Sequence, residues 1–189
     1  MSKTRTFIAI ETEQDQTSRA LALIDRLRPL APRARWVEEE QLHLTLLFLG
    51  DLDDREVVDA CKHTEWTAAA TPRFTLRLSG VGAFPDVHSP KALWLGVTEG
   101  ADILHRLHDD LLADVGHLQT SRERSQFVPH LTLARLSRGG GISPHLPATL
   151  TGLADYDAGV TRVRRLTVFA SELSSAGPEY YPLAQCRLA

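Results

Sequence analysis

Hydrophobic and polar residues alternate along several short segments of the chain with the two-residue period of a β-strand. The pattern is clearest in residues 41–50 and 128–135, where leucines alternate with a histidine and a threonine. Because successive side chains of an extended chain point to opposite faces, these leucines are expected to face a core. The histidine and the threonine of each segment then share the opposite face.

The two-residue period predicts further strands, and apolar residues at helical spacing predict three helices. The strands are predicted over residues 4–10, 35–37, 41–50, 74–78, 92–97, 128–135, 163–173 and 180–188. Helices are predicted over residues 15–30, 51–67 and 102–115, the second capped by Asp51 or Asp53 and the third ended by Gly116. Segment 92–97 is apolar throughout, so we expect it to be buried on both faces.

Polar, glycine and proline residues predict the connections. Residues 80–90 are expected to form a loop, and the polar segment 119–126 leads into the second histidine-bearing strand. The glycines and prolines of 139–147 indicate a flexible connection, and no element is assigned to 149–160. Strands and helices alternate with mixed connections, which indicates an α+β fold with mostly antiparallel sheets.

The two clearest strands repeat one tetrapeptide, His-Leu-Thr-Leu. It begins at His43 and again at His130, about half a chain length later, with Thr45 and Thr132 two residues further on. The rest of the two halves shares little identity. The motif pair and the order of elements around it therefore suggest two related lobes.

Composition and charge narrow the class of protein. With 189 residues, 43% hydrophobic and 24% charged, the chain is long enough for one domain or one body of two lobes. A net charge of −3 argues against a surface that coats nucleic acid, but a local phosphate pocket is compatible with it.

The sequence also predicts where the protein is found. The N-terminal residues lack the apolar region of a secretion signal, and no apolar run approaches the ~20 residues that span a bilayer. Cys61 and Cys186 have neither metal-site spacing nor the density of a disulfide scaffold, so reduced thiols are expected. A soluble, cytoplasmic protein is predicted.

Two histidines on facing strands can act as general base and general acid. The usual histidine pKa of about 6.5 allows one neutral and one protonated ring near neutral pH. The hydroxyls of Thr45 and Thr132 can donate hydrogen bonds to phosphoryl oxygens, and displacement at phosphorus with this set needs no metal. No histidine pair or histidine–carboxylate cluster has ligand spacing, so no metal site is predicted.

Arg135 and three aromatic residues are further candidates. Arg135 follows Thr132 by three residues, so the period of two places it on the opposite face unless the strand bulges or ends. It can bind phosphate or serve as a surface arginine. Phe7, Trp36 and Phe48 are candidates for stacking on a base, with core packing as the alternative. The histidines outside the two motifs are expected to be non-catalytic: His63, His88, His105, His108, His117 and His145.

At these residues the chain resembles the two-histidine phosphoesterase superfamily, and more narrowly the RNA 2′,3′-cyclic phosphodiesterases, historically called 2′-5′ RNA ligases. The resemblance covers essentially the whole chain. It rests on Arg-Thr-Phe-Ile-Ala-Ile at 5–10, Arg-Trp-Val at 35–37, the first motif with Phe-Leu-Gly at 48–50, Lys-Ala-Leu-Trp-Leu-Gly-Val at 91–97 and Phe-Val-Pro-His-Leu-Thr-Leu-Ala-Arg at 127–135.

The resemblance implies a single bilobal domain over residues 1–189, with helices outside and one motif from each lobe at a central cleft. It implies hydrolysis of a 2′,3′-cyclic phosphate to a 2′-phosphomonoester, with His43 as proton donor and His130 as proton acceptor. Thr45 and Thr132 match the phosphate-binding hydroxyls. Leu47 departs from the many relatives that carry lysine there, which bears on substrate affinity and not on the histidine chemistry.

Alternative functions use the same site. They are reversible 2′-5′ RNA ligation, opening of a small cyclic nucleotide phosphate, and binding of RNA ends without catalysis. The expected partner is RNA with a 2′,3′-cyclic phosphate end. A monomer without cofactor, membrane association or obligatory protein partner is expected.

Overall fold

A computed structural model describes residues 3–120, 126–137, 141–174 and 177–189. The strands in these residues are β1 (Thr4–Glu11), β2 (Arg35–Trp36), β3 (His43–Leu52), β4 (Phe74–Phe84), β5 (Ala92–Glu99), β6 (His130–Arg135), β7 (Asp157–Val163), β8 (Arg165–Ser174) and β9 (Gly177–Arg187). The α-helices are α1 (Gln14–Leu27), α2 (Asp54–Ala70), α3 (Ala101–Val115) and α4 (Leu146–Thr151).

The strands form one curled antiparallel sheet, which confirms the predicted α+β fold. Their order is β7-β4-β5-β6-β3-β1-β8-β9, and β2 pairs with β6. The two halves of the sheet, β7-β4-β5-β6 and β3-β1-β8-β9, meet where Leu44 of β3 pairs with Leu131 of β6. Each half thus contributes its motif strand to the joint between them.

Helices cover the leucine side of the sheet. Helix α1 packs against β6 and β7, α2 against β8 and β9, and α3 against β3 and β5. The buried side chains of these helices and of the strands form one large core. The other side of the two motif strands, which carries the histidines and threonines, remains partly exposed. No helix in the described ranges is both long and apolar enough to cross a membrane.

Helix α2 begins at the second of the two predicted caps. The Asp53 carboxylate accepts hydrogen bonds from the backbone N–H groups of Arg55 and Glu56, and the Glu56 carboxylate accepts one from the Asp53 backbone N–H. This reciprocal capping box satisfies N–H groups that have no partner inside the helix. The helix therefore starts three residues later than the segment predicted for it.

Two predictions about strands are wrong. Residues 80–84 continue β4 instead of belonging to a loop, because Gly82 leaves room for the Trp94 ring, whose atoms would lie 2.3 Å from a Cβ at that position. Strand β5 is buried on one face only: Leu93 and Leu95 are buried, while Trp94 and the residues beside it on its face are partly exposed.

The remaining differences concern boundaries and connections. The unassigned segment 149–160 contains the end of α4 and the start of β7. The predicted strand 163–173 begins at Arg165, and the last strand begins three residues earlier than predicted. Residues 121–125 and 138–140 lie outside the described residues, so those parts of the two predicted connections stay predictions.

Candidate active site

The joint between β3 and β6 brings the two tetrapeptides together on one face of the sheet. Leu44 and Leu131 are the paired residues and both are buried. Their neighbours in sequence, the histidines and threonines, are partly exposed on the other face. In an antiparallel pair this register turns His43 toward Thr132 and Thr45 toward His130. The histidines are diagonal neighbours, for which the typical separation is roughly 7–8 Å.

A backbone carbonyl fixes the orientation of the His43 ring. Nδ1 lies 2.7 Å from the carbonyl oxygen of Gln41, and Nε2 lies 3.1 Å from the Thr45 hydroxyl. Because a carbonyl only accepts, Nδ1 carries the proton, and Nε2 of the neutral ring accepts from the hydroxyl. Nε2 is therefore the nitrogen that can gain or lose a proton.

The His130 ring is anchored in the same way. Its Nδ1 lies 2.7 Å from the carbonyl oxygen of Val128, again two residues before the histidine. The repeated anchor has one chemical consequence: Nδ1–H is committed to the backbone in both rings, and proton transfer at either ring uses Nε2.

Each motif strand contains a β-bulge immediately after its threonine. Opposite β1, the register passes from Thr45 to Leu47, and opposite β5 it passes from Thr132 to Ala134. The register skips Leu46 in the first strand and Leu133 in the second. Each skipped residue and the one after it, Leu47 or Ala134, are buried. An extra residue reverses the alternation of faces beyond it.

The bulge corrects the position that simple alternation gives for Arg135. Five residues after their histidines, Phe48 and Arg135 both lie on the side of the sheet that carries the histidines. Arg135 is exposed, and its charge acts on both His43 and Tyr180. The structure therefore brings Arg135 together with the two motifs. Leu47, beside the bulge, is buried in the core.

Three arginines make this part of the site cationic. Arg35 of β2 pairs directly with Arg135, and the Arg5 guanidinium lies 4.9 Å from the centre of the Phe48 ring. Within the described residues none of the three forms an ion pair. Each of them lies close enough to act electrostatically on Tyr180. A concentration of unpaired positive charge favours an anionic ligand.

Burial changes the acid–base chemistry of His43. Burial, together with the smaller effect of the positive charges of His130 and Arg135, lowers the pKa of His43 from 6.5 to about 4. The hydrogen bond to Gln41 opposes this shift by stabilising the protonated ring. In the ligand-free site His43 is therefore neutral near pH 7.

Aromatic side chains surround both histidines. His43 lies 4.9 Å from Phe7 and 5.1 Å from Tyr180, measured between ring centres, and His130 lies 5.0 Å from Phe84. The contacts of Tyr180 and Phe84 with the histidines could not be predicted from the sequence. The order of the strands decides these contacts, and no local sequence pattern encodes that order. Of the three stacking candidates, Phe7 and Trp36 are buried in packing, and Phe48 is partly exposed beneath Arg5.

One histidine outside the motifs supports the site. His108 of α3 donates a hydrogen bond from Nδ1 to the carbonyl oxygen of Leu46 at the first bulge, over 2.8 Å. Its ring also stacks on Phe127, just before the second motif strand, at 4.2 Å between ring centres. His108 thus connects both motif strands without facing the cleft. No group of three potential metal ligands occurs among the residues that the structure describes.

Comparison with known proteins identifies the family. A family model described as the 2′-5′ RNA ligase superfamily matches residues 14–172. The chain belongs to this superfamily. The resemblance seen in the sequence is thereby confirmed.

Relatives and solved structures are similar to this protein over almost the whole chain. A relative from Thermotoga maritima, named RNA 2′,3′-cyclic phosphodiesterase, is 33% identical over 183 residues, which cover 97% of this chain and 95% of the relative. The crystal structure of TT0787 from Thermus thermophilus has a TM-score of 0.82 at 28% identity and covers 97% of both chains. The structure of E. coli LigT complexed with 3′-AMP has a TM-score of 0.76 at 25% identity and covers 99% of both chains.

Proposed function

We propose that this protein is an RNA 2′,3′-cyclic phosphodiesterase that opens the cyclic phosphate to a 2′-phosphomonoester. The observation that carries the proposal is the pairing of the two His-x-Thr strands, with all four polar side chains on one face. The names of the relatives, and the nucleotide in the LigT structure, support a nucleotide substrate.

The reaction needs one base and one acid. His130 accepts a proton from the attacking water, whose oxygen forms a new bond to phosphorus. The bond from phosphorus to the ribose 3′ oxygen breaks, and His43 donates a proton to that oxygen. The 2′ oxygen keeps the phosphate. The family resemblance supplies this division of roles, and the Nε2 atoms carry both transfers.

Thr45, Thr132 and Arg135 bind the non-bridging phosphoryl oxygens in this proposal. The hydroxyls donate one hydrogen bond each, and the guanidinium contributes charge and a planar pair of donors. The bulge supports the role of Arg135, because the bulge turns the arginine to the histidine side of the sheet. These groups stabilise charge at phosphorus without a metal or a cofactor.

The low pKa of His43 is compatible with its role as an acid only when substrate is bound. In the free site the ring is neutral near pH 7, since its pKa is about 4. A phosphate anion beside the ring stabilises the protonated form and raises the pKa. His43 therefore gains the proton that it donates as part of substrate binding.

The molecular context forms part of the proposal. Because the match to the Thermotoga maritima relative covers 97% of this chain, we treat residues 1–189 as one bilobal catalytic domain. The protein acts on RNA ends as a cytoplasmic monomer, without an obligatory protein partner.

The test is incubation with a short RNA that carries a 2′,3′-cyclic phosphate, with the product identified by phosphorus NMR. The expected product is the 2′-phosphomonoester, formed equally well with a chelator and by the control variant His117→Ala, which removes an exposed histidine outside the site. A 3′-phosphomonoester, or abolition of turnover by the chelator with rescue by a divalent ion, would contradict the proposal. Added RNA with a 5′-hydroxyl end tests for 2′-5′ ligation in the same tube.

A further inference from the structure

Three arginines line a second cationic concavity at the far end of one half of the sheet. The cavity has a volume of about 410 Å³ and lies where β4 and β7 pair. The arginines that line it are Arg73, Arg162 and Arg164, together with Phe74 and Thr75.

The backbone pairing places these three arginines around the concavity and not directly opposite one another. Thr75 pairs with Arg162, whereas residues 188–189 lie between Arg73 and Arg164: the Arg73 backbone N–H donates to the Ala189 oxygen over 3.4 Å, and the Leu188 N–H donates to the Arg164 carbonyl over 2.9 Å. None of the three guanidinium groups has a hydrogen bond or an ion pair to another described residue.

Neighbouring arginines of the same sheet show the contrast. Arg77 lies two residues after Thr75, on the same face of β4. Its guanidinium group lies 2.8 Å from the Asp157 carboxylate and 3.8 Å from the Glu99 carboxylate. Arg165 of β8 lies 3.0 Å from Glu11. The sheet thus neutralises these arginines internally and leaves the concavity positive, which is the arrangement that an external anion would stabilise.

The concavity opens on the same side of the sheet as the histidines. Arg162 alternates with Thr161 and Val163, which are buried in the core beneath the helices. His130 likewise alternates with buried residues on β6. From His130 to this site there are two to three strand spacings across the sheet and about four residues along it, which gives roughly 15–20 Å.

We infer that Arg73, Arg162 and Arg164 bind the phosphodiester backbone of the substrate RNA several nucleotides away from its cyclic end. The inference rests on the proposed function, since the cyclic phosphate in the cleft fixes one end of the strand. The RNA backbone crosses the exposed face of β4 between the two sites. Asp157 and Glu99 lie on this path, and the carboxylates of both form ion pairs with Arg77.

The test compares Arg162→Gln/Arg164→Gln with the matched control Arg26→Gln/Arg55→Gln, which removes two exposed helix arginines. For a cyclic-phosphate RNA of twelve nucleotides, KM is expected to rise roughly tenfold in the first variant only. The slope of log KM against log salt is expected to fall by about 1.4, or 0.7 per lost phosphate contact. Turnover of a 2′,3′-cyclic mononucleotide, which cannot reach the arginines, is expected to equal that of the wild type in both variants.

Binding of a fluorescent twelve-nucleotide RNA with an ordinary 3′-hydroxyl end, followed by anisotropy, separates this inference from the proposed function. If the wild type opens no cyclic phosphate, the proposed function fails, and the anisotropy still decides whether the arginines bind RNA. The inference is overturned if the first variant matches the control in affinity and salt slope. Arg162→Lys/Arg164→Lys is expected to keep the salt slope, because both charges remain.

Discussion

The two halves of the sheet contain the same motif in different surroundings. In both, a carbonyl two residues before the histidine anchors Nδ1, and a bulge follows the threonine. His43, however, is enclosed by Phe7, Phe169 and Tyr180, whereas His130 contacts Phe84 and lies near a tryptophan. The local sequence sets the geometry of each histidine, and the neighbouring strands set its environment.

The first residue beyond each bulge that returns to the histidine side of the sheet extends this difference. At the same offset from its histidine, the first strand presents Phe48 and the second presents Arg135. One motif thus supplies an aromatic surface and the other a positive charge. In the proposed mechanism, this asymmetry and the lowered pKa of His43 assign opposite proton transfers to the two copies of one tetrapeptide.

Replacing either histidine is expected to have the largest effect. His43→Ala and His130→Ala should each reduce kcat on a cyclic-phosphate RNA by about 10²–10⁴-fold, because each removes one proton transfer from the transition state. The double variant should be little worse than either single variant, since the two act as a unit. Thermal unfolding should show that both fold, because neither ring belongs to the leucine core. Wild-type activity of either single variant would contradict the proposal that both halves contribute a histidine to the reaction.

Arg135→Gln tests the charge that the second motif strand supplies at the position where the first carries Phe48. We expect kcat/KM to fall by up to about a hundredfold, because a charged hydrogen bond contributes about 1.5–3 kcal/mol. Removing the positive charge also raises the pKa of His43, which lies near 4, so the acidic limb of the kcat/KM profile should move to higher pH. Phe48→Leu, at the equivalent position of the first half, should leave that limb unchanged. An unshifted limb in Arg135→Gln would remove the arginine from the site.

The sequence contained the site motifs but not what surrounds them. Alternation of leucine and polar residues predicted both motif strands and the shared face of each histidine and threonine. It could not predict the bulges, because two adjacent buried residues after each threonine depend on pairing with β1 and β5. The role of Gly82 was equally hidden: the glycine accommodates Trp94, which is distant in sequence. Long-range pairing decides these features.

The threonines should matter less than the histidines. Thr45→Ala and Thr132→Ala are each expected to reduce the rate ten- to hundredfold, since each donates one hydrogen bond to a charged oxygen. Thr→Ser at the same positions keeps the hydroxyl and should restore most of the rate. Thr45 also bonds His43, so its loss should disturb the pH profile more than loss of Thr132. Equal activity of the alanine variants and the wild type would exclude both hydroxyls from phosphate binding.

The smallest predicted effect is on stability. The pKa of His43 is about 4 in the folded protein and 6.5 in the reference state, so between these values the unfolded chain binds the extra proton. Stability should therefore fall as pH decreases from about 6.5 to about 4, by on the order of 1 kcal/mol after allowance for partial exposure of the ring. Urea unfolding at several pH values should show this slope in the wild type and not in His43→Gln. The same slope in both proteins would assign it to other groups.

The most direct test of the division of roles uses a substrate that needs no acid. In a nucleoside 2′-(4-nitrophenyl phosphate), 4-nitrophenolate replaces the ribose 3′ oxygen and leaves without a proton. His43→Ala is expected to recover to within about tenfold of the wild-type rate, while His130→Ala stays about 10²–10⁴-fold slower, because water still needs a base. Recovery of His130→Ala with His43→Ala remaining slow would contradict the assignment of His43 as proton donor and His130 as proton acceptor.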